Sequence, residues 1–466
     1  MTRTLAALVA AAFAFVAAVP AASAMNIEKI VTPAGITAWL VREHSVPLVA
    51  LNYAFRGGSS QDQVDKAGTA NLTSDLLDEG AGELSSETFH RRLERHAIDM
   101  SFRVGRDYFR GTLRTLKEHR GEAFDLLGLA LSKPRFDADA VQRVRGQVMS
   151  VLRRELTDPD DLASHRWWQT AFPDHPYGRQ TSGSLESVPH ITADDMRAYV
   201  RRVFARDGLT VSIVGDIDAK EAARLVDRAF GNLPANGDLA PVPSATPTAL
   251  GQRIVVSVDV PQAVVRFGGE GIARSDPDFM AAYVVNHILG GGDFTSRLYQ
   301  QVREKRGLAY GVATSLIWFR HAAVLLGGTA TRADRTADAL RIIEQQIKLM
   351  AEKGPTAQEL AAAKSYLKGA YALSLDSSTK IAAQLTEIQL DNLGIDYIQR
   401  RSGMIDNVTL ADAKRVAKRL YGDGLLVVVA GRPKGLTSGL VPERSIPLGQ
   451  EGGSPSAKPG LAHEPE

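Results

Sequence analysis

The stretch "ITADDMRAYVRRVFARDGLTVSIVGDID", residues 191–218, decides the fold because its layout returns at residues 408–435 as "VTLADAKRVAKRLYGDGLLVVVAGRPKG". Each copy sets a threonine, Thr192 or Thr409, at an N-cap position, follows it with an amphipathic helical pattern, stops at glycine and then runs through β-branched and apolar residues. That order predicts a capped helix leading into a buried strand. Working outward, "VPLVALNYAFRGGSS" (46–60) precedes a helical pattern over 68–79, just as "VPQAVVRFGGEGIA" (260–273) precedes helical "PDFMAAYVVNHILG" (277–290). Long helical stretches at about 137–170 and 356–390 also correspond. The chain is therefore an internal duplication, and the expected fold is α/β (α+β): two duplicated domains, each a mainly antiparallel sheet packed with helices.

Composition sets the frame around this repeat. A chain of 466 residues, 44% hydrophobic and 23% charged, is too long for one ordinary core. A formal net charge of only +2 argues for no nucleic-acid partner and no attraction to an anionic membrane. The absence of cysteine removes disulfides, thiolate metal ligands and cysteine nucleophiles together. At the N-terminus, "MTRTLAALVAAAFAFVAAVPAASAMN" combines Arg3, a short apolar run and the small-residue ending Ala22-Ser23-Ala24, the pattern of a secretory signal peptide. No later apolar run reaches the ~20 residues that span a bilayer, so no membrane span is expected after signal cleavage.

The expected division is a signal peptide at 1–24, an N-terminal domain at 25–235, a linker at 236–251, a C-terminal domain at 252–435 and a tail at 436–466. The linker reading rests on the Pro, Ala, Gly and Ser content of "PANGDLAPVPSATPTALG" (234–251). The tail is expected to be disordered, because "GQEGGSPSAKPGLAHEPE" is poor in apolar residues. Export with no lipid-attachment site places the mature chain in the periplasm if the source is Gram-negative.

Duplicated halves of this length, with "HPYGRQTSGSLESVPHITADDMRAYV" (175–200) and above all "FTSRLYQQVREKRGLAYGV" (294–312), resemble the pitrilysin-type (inverzincin) zinc peptidases. That family includes mitochondrial processing peptidase and insulin-degrading enzyme. Its members hold zinc through an inverted H-x-x-E-H on a helix, with a third glutamate further along; the histidines face one way and the glutamate acts on the metal-bound water. The five corresponding residues here are Asn71-Leu72-Thr73-Ser74-Asp75. Asn71 and Asp75 stand where the family has histidine, and Ser74 where it has the general base. The region of the third ligand, 147–156, holds no carboxylate before Glu155. The resemblance thus implies a degenerate metal site and no metal in this chain. Asp75, Asp78 and Glu79 form an acidic helix end but lack the carbonyl-bearing loop of an oxygen site.

The same resemblance implies roles for Arg303 and Tyr310 in "REKRGLAY", an arginine and a tyrosine that reach from the C-terminal half into the reaction site. A guanidinium fork and a phenol donor suit the oxyanion formed when water attacks an amide. A chain that keeps this pair and lacks the metal ligands resembles the non-metal subunit of a heterodimeric peptidase, closing clamshell-fashion on a homologous H-x-x-E-H partner. Zinc is then expected on the partner, with a peptide or unfolded polypeptide as substrate. Backbone pairing of substrate to a strand edge is expected, with "VLLGGTATR" (324–332) a contributor. The alternative is a catalytically inactive peptidase-fold protein acting in peptide binding or assembly.

Overall fold

The computed structural model describes residues 25–436. The expected leader, and all but the first residue of the expected tail, lie outside them. The strands run in chain order as β1 (Ile27–Val31), β2 (Thr37–Arg42), β3 (Leu48–Arg56), the two-residue pair β4 (Gly80–Ala81) and β5 (Leu84–Ser85), β6 (Asp99–Val104), β7 (Tyr108–Leu116) and β8 (Leu209–Gly215). They continue as β9 (Arg253–Val256), β10 (Gln262–Glu270), β11 (Ala309–Trp318), β12 (Ala323–Arg332) and β13 (Leu426–Ala430). Two main sheets result, ordered β1-β2-β8-β3-β7-β6 and β9-β13-β10-β12-β11.

The second order repeats the first with β1 left out, and the pairing senses repeat too. β2 runs parallel to β8 as β9 does to β13, and the remaining neighbours within each sheet pair antiparallel. Even the register carries over: Tyr53 of β3 faces Gly111 of β7, and Phe267 of β10 faces Gly327 of β12. In each case the ring lies over the glycine, where a Cβ would sit 2.2 Å from Tyr53 or 2.4 Å from Phe267. The two predicted caps are also present. Thr192 accepts from the Asp195 amide and Thr409 from the Asp412 amide, each acid returning the bond to complete a capping box.

Each sheet buries one face under helices of its own half and the other under a single helix from the opposite half. On β3, Val49, Leu51, Tyr53 and Phe55 point into the first core, leaving alternate residues Ala50, Asn52 and Ala54 for the second face. There the helix Ser378–Leu390 lies across β3 and β8, with Thr386 Oγ1 3.0 Å from Ser212 Oγ and the Gln389 amide donating to Ser212 Oγ at 2.8 Å. Reciprocally, the helix Pro159–Ala171 lies across β10 and β13, and its buried Trp167 donates Nε1–H to the Leu426 carbonyl at 3.2 Å. Each of the two long helical stretches is thus a helix pair, Ala138–Glu155 with Pro159–Ala171 and Ala357–Leu373 with Ser378–Leu390.

The joints between halves are polar as well as packed. Arg110 pairs with Glu387 across the halves, while within the second half Arg274 lies 3.6 Å from Asp391, which stands at the end of the exchanged helix and also accepts from Trp318. Tyr177 OH donates to Asp107 at 2.5 Å, while Asp107 accepts the Arg320 amide at 2.8 Å. His175 orders its own turn, accepting from the Tyr177 amide at 3.1 Å, and lies 3.0 Å from the linker carbonyl of Pro243. No described helix is long and apolar enough to cross a membrane.

Two local expectations need correction. The helix predicted over 68–79 spans only Thr69–Ser74 and gives way to turns. The stretch 324–332 falls within β12, which is paired on both sides; the edge strands of that sheet are β11, next to it, and β9.

Candidate functional site

The short helix Thr69–Ser74 is set by what precedes it. Gly68 has φ +97, and a Cβ there would meet the Ser182 carbonyl at 2.7 Å, so only glycine fits. Asp62, buried, accepts from the Gly68 and Ala70 amides at 2.9 and 3.0 Å. Burial pushes its carboxyl up to about 7, against the pull of those two bonds and of Arg179 and Arg202.

The side chains of this short helix satisfy one another. Asn71 donates Nδ2–H to Asp75 at 3.0 Å, and Ser74 donates to the Asn71 carbonyl at 2.7 Å. Asp75 reaches solvent, yet protein surrounds it on enough sides that desolvation, helped by Asp78, raises its carboxyl to about 6. Glu79 is engaged by Arg143 at 2.6 Å and by Ser86 at 2.5 Å. The neighbouring helix Ala138–Glu155 turns Val141, Val144, Val148 and Leu152 into the first core. Glu155 lies at the far end of that helix, 3.9 Å from His165. Among the described residues no group of three or more His, Cys, Asp or Glu is placed to hold a metal ion.

Arg303 and Tyr310 are on the second sheet's side of the molecule, and the structure does not bring them to Asn71, Ser74 and Asp75. Arg303 sits in a widened, π-type turn, Gln300–Glu304, a distortion frequent at functional sites. Its guanidinium bonds the hydroxyl of buried Tyr299 and lies 4.9 Å from the centre of that ring. The turn is anchored by Arg297, which grips Glu359 through two bonds of 2.6 Å; Glu359 in turn caps the helix Ala357–Leu373 at Thr356.

Tyr310 follows one turn later on β11. The register jumps there: Ala309 faces Thr331 and Val312 faces Thr329, so Tyr310 and Gly311 together oppose Ala330. Such a two-against-one bulge re-aims a side chain at a sheet edge. Tyr310 is 82% exposed as a result. Nearby Phe294, 66% exposed, stands edge-on to Tyr299 with ring centres 5.0 Å apart. The sequence reading passed over Tyr299 and Phe294, whose only signal was their place within the motif.

Comparison with known proteins agrees with this architecture. Residues 39–184 match the family model described as Insulinase (Peptidase family M16), and residues 190–367 the one described as Peptidase M16 inactive domain. The Helicobacter pylori protein named non-peptidase homolog YmxG is 30% identical over 327 residues, 70% of this chain and 75% of its own. An uncharacterized zinc protease of Streptomyces coelicolor is 27% identical over 374 residues, covering 78% of this chain and 81% of that protein. Among solved structures, a peptidase M16 inactive domain from Pseudomonas fluorescens superposes with a TM-score of 0.82 at 27% identity, over 90% of this chain and 100% of its own. A protease from Helicobacter pylori shares the fold, with a TM-score of 0.79 at 19% identity over 87% of this chain and 99% of its own. The chain belongs to peptidase family M16.

Proposed function

We propose that this chain is the metal-free subunit of an exported heterodimeric peptidase. Arg303 and Tyr310 bind the peptide and stabilise the reacting carbonyl at a zinc ion held by a homologous H-x-x-E-H subunit. The observation that carries the reading is the state of the two motifs. The residues at the metal positions are bonded to one another, whereas Tyr310 is thrust into solvent by a bulge and Arg303 is steadied by Tyr299. A phenol exposed to this degree has no packing role, and its O–H suits a developing oxyanion. The outer edge of β11 supports substrate capture by strand addition, alongside Tyr310. Water activation belongs wholly to the partner, so the isolated chain does not hydrolyse peptides. The leader sequence supports export, to the periplasm in a Gram-negative cell.

The test is the native complex. Isolated gently from an envelope extract, it has about twice the chain mass and contains one zinc ion per pair. A metal-free homodimer or monomer without peptidase activity contradicts the proposal. That result would instead support an inactive peptidase-fold protein that binds peptides or aids assembly, the reading favoured by the name of the Helicobacter pylori relative.

A further inference from the structure

The corner where the helix Ala138–Glu155 gives way to the helix Pro159–Ala171 opens on a cleft of about 760 Å³, within the size of pockets that take a ligand. Residues 172–187 wall its other side, and Val64 and Ala67 contribute from the chain before Gly68. Apolar surface is left in water here. Val64 is 80% exposed in a short turn, Val64–Lys66, that buries none of its residues, and Leu156, where the first helix ends, is 46% exposed. Leu162 and Leu185 in the same lining are only half-buried. Single exposed apolar residues are ordinary, but four along one cleft make a patch.

The charge of the lining has one sign. It holds three carboxylates, Glu155, Asp174 and Glu186, and among the described residues none of them accepts a hydrogen bond. The one basic group within 4.0 Å of Glu155 is His165, at 3.9 Å, and burial lowers the pKa of that imidazole and keeps it uncharged near neutrality. Burial, with Asp161 and Asp158 close by, holds the Glu155 carboxyl above its usual range in spite of Arg154. The lining has no lysine and a single arginine, Arg179, which is turned to the Asp62 carbonyl at 3.1 Å. A cation brought into the cleft would therefore meet acceptors that no residue of the chain has taken.

We propose that this cleft binds a basic, apolar segment of another polypeptide, in which lysine or arginine alternates with residues such as leucine and valine. The apolar side chains cover Val64, Leu156, Leu162 and Leu185, and the cations meet Glu155, Asp174 and Glu186. Three carboxylates and four apolar side chains are more than one small amine satisfies, which favours a peptide. A neutral or acidic segment would cover Glu155 further without giving it a partner, so selectivity comes from that penalty as much as from attraction. The cleft is built from the first half, whereas Arg303 and Tyr310 belong to the second, and the inference does not depend on the peptidase reading.

The chain has no cysteine, so Gln169→Cys, at an exposed position of the cleft, and Gln358→Cys, at an exposed position of the second half, each give the full chain a single thiol. The probe is a capped pentapeptide with lysine and arginine set between leucine and valine; the control peptide has glutamate in place of both cations. Near saturation the basic peptide should slow alkylation of Gln169→Cys by about fivefold or more and leave Gln358→Cys unchanged, because only the unoccupied cleft reacts. The protection should fade by about 0.5 M salt, which screens exposed charges. Glu155→Gln combined with Glu186→Gln should weaken binding of the labelled basic peptide, followed by fluorescence anisotropy, by about tenfold. Equal protection by the acidic peptide, equal protection of both thiols, an affinity indifferent to the double substitution, or no protection at all would each overturn the proposal.

Discussion

The Arg303 guanidinium is fixed to Tyr299 twice, by a bond to the hydroxyl and by its place 4.9 Å from the ring centre. In the proposed role, an arginine that projected freely would have to be ordered anew at each turnover; this one is set in advance. Tyr299→Phe keeps the ring and removes the bond. In the proposed heterodimeric peptidase the expected result is a fall in kcat of about tenfold with KM little changed, the scale of one hydrogen bond. Tyr299→Leu removes both supports and should cost more. Equal activity in all three proteins would show that Arg303 needs no such support.

The exchange of helices between halves makes each half's stability depend on the other. Trp167 belongs to the first half in sequence but is buried against β10 and β13 of the second. Trp167→Ala should destabilise the chain by about 3–5 kcal/mol. The loss should appear as faster hydrogen exchange in β13 and β10 before β3 and β8, followed by mass spectrometry. Uniform loosening of both sheets would argue against this division.

Two carboxylates should act on stability in opposite directions. Asp62 has its pKa raised from 3.8 to about 7 by burial, so the folded chain keeps a proton that the unfolded chain has released. Its contribution is full below the unfolded pKa and is lost as pH rises toward 7. Wild type should therefore lose roughly 2 kcal/mol relative to Asp62→Asn between pH 5 and 8 in urea melts. Glu359, held down to about 2 by Arg297 and the Thr356 cap despite partial burial, contributes fully above pH 4.5 and loses its effect as pH falls toward 2. Glu359→Gln should therefore be destabilising at pH 6 and nearly neutral near pH 2.

Restoring the motif alone should not restore the metal. Asn71→His, Ser74→Glu and Asp75→His together would set two imidazoles one turn apart, but among the described residues no group of three or more His, Cys, Asp or Glu is placed to hold a metal ion, so no third ligand stands ready. Zinc needs three protein ligands even in an open catalytic site. Dialysed against zinc, the triple variant should hold well under one ion per chain by elemental analysis. Stoichiometric, dialysis-resistant zinc would show that another residue of the chain supplies the third ligand.

The duplication was legible because its signals are local. Thr192 and Thr409 cap, glycine stops, and β-branched runs bury, whatever surrounds them. The exchanged helices were not legible, since periodicity shows that Trp167 or Leu385 faces something apolar but not which sheet. The identities of Asn71, Ser74 and Asp75 were plain in the chain, while their mutual hydrogen bonds depend on where the helix ends. The helix ends early, at Ser74, because Asp62 and the glycine at 68 fix its start and turns take over at Asp75. The bulge that exposes Tyr310 comes from β11 slipping against β12, a matter of pairing that no single stretch records.

The most direct test of the central claim is the turnover number of the proposed two-chain complex carrying Tyr310→Phe or Arg303→Ala in this subunit. Each variant should assemble normally, keep the zinc and lower kcat by about 10²-fold or more, the usual effect of one lost oxyanion donor. Unchanged kcat in both, with assembly and zinc intact, would contradict a catalytic role for this chain and leave it a scaffold.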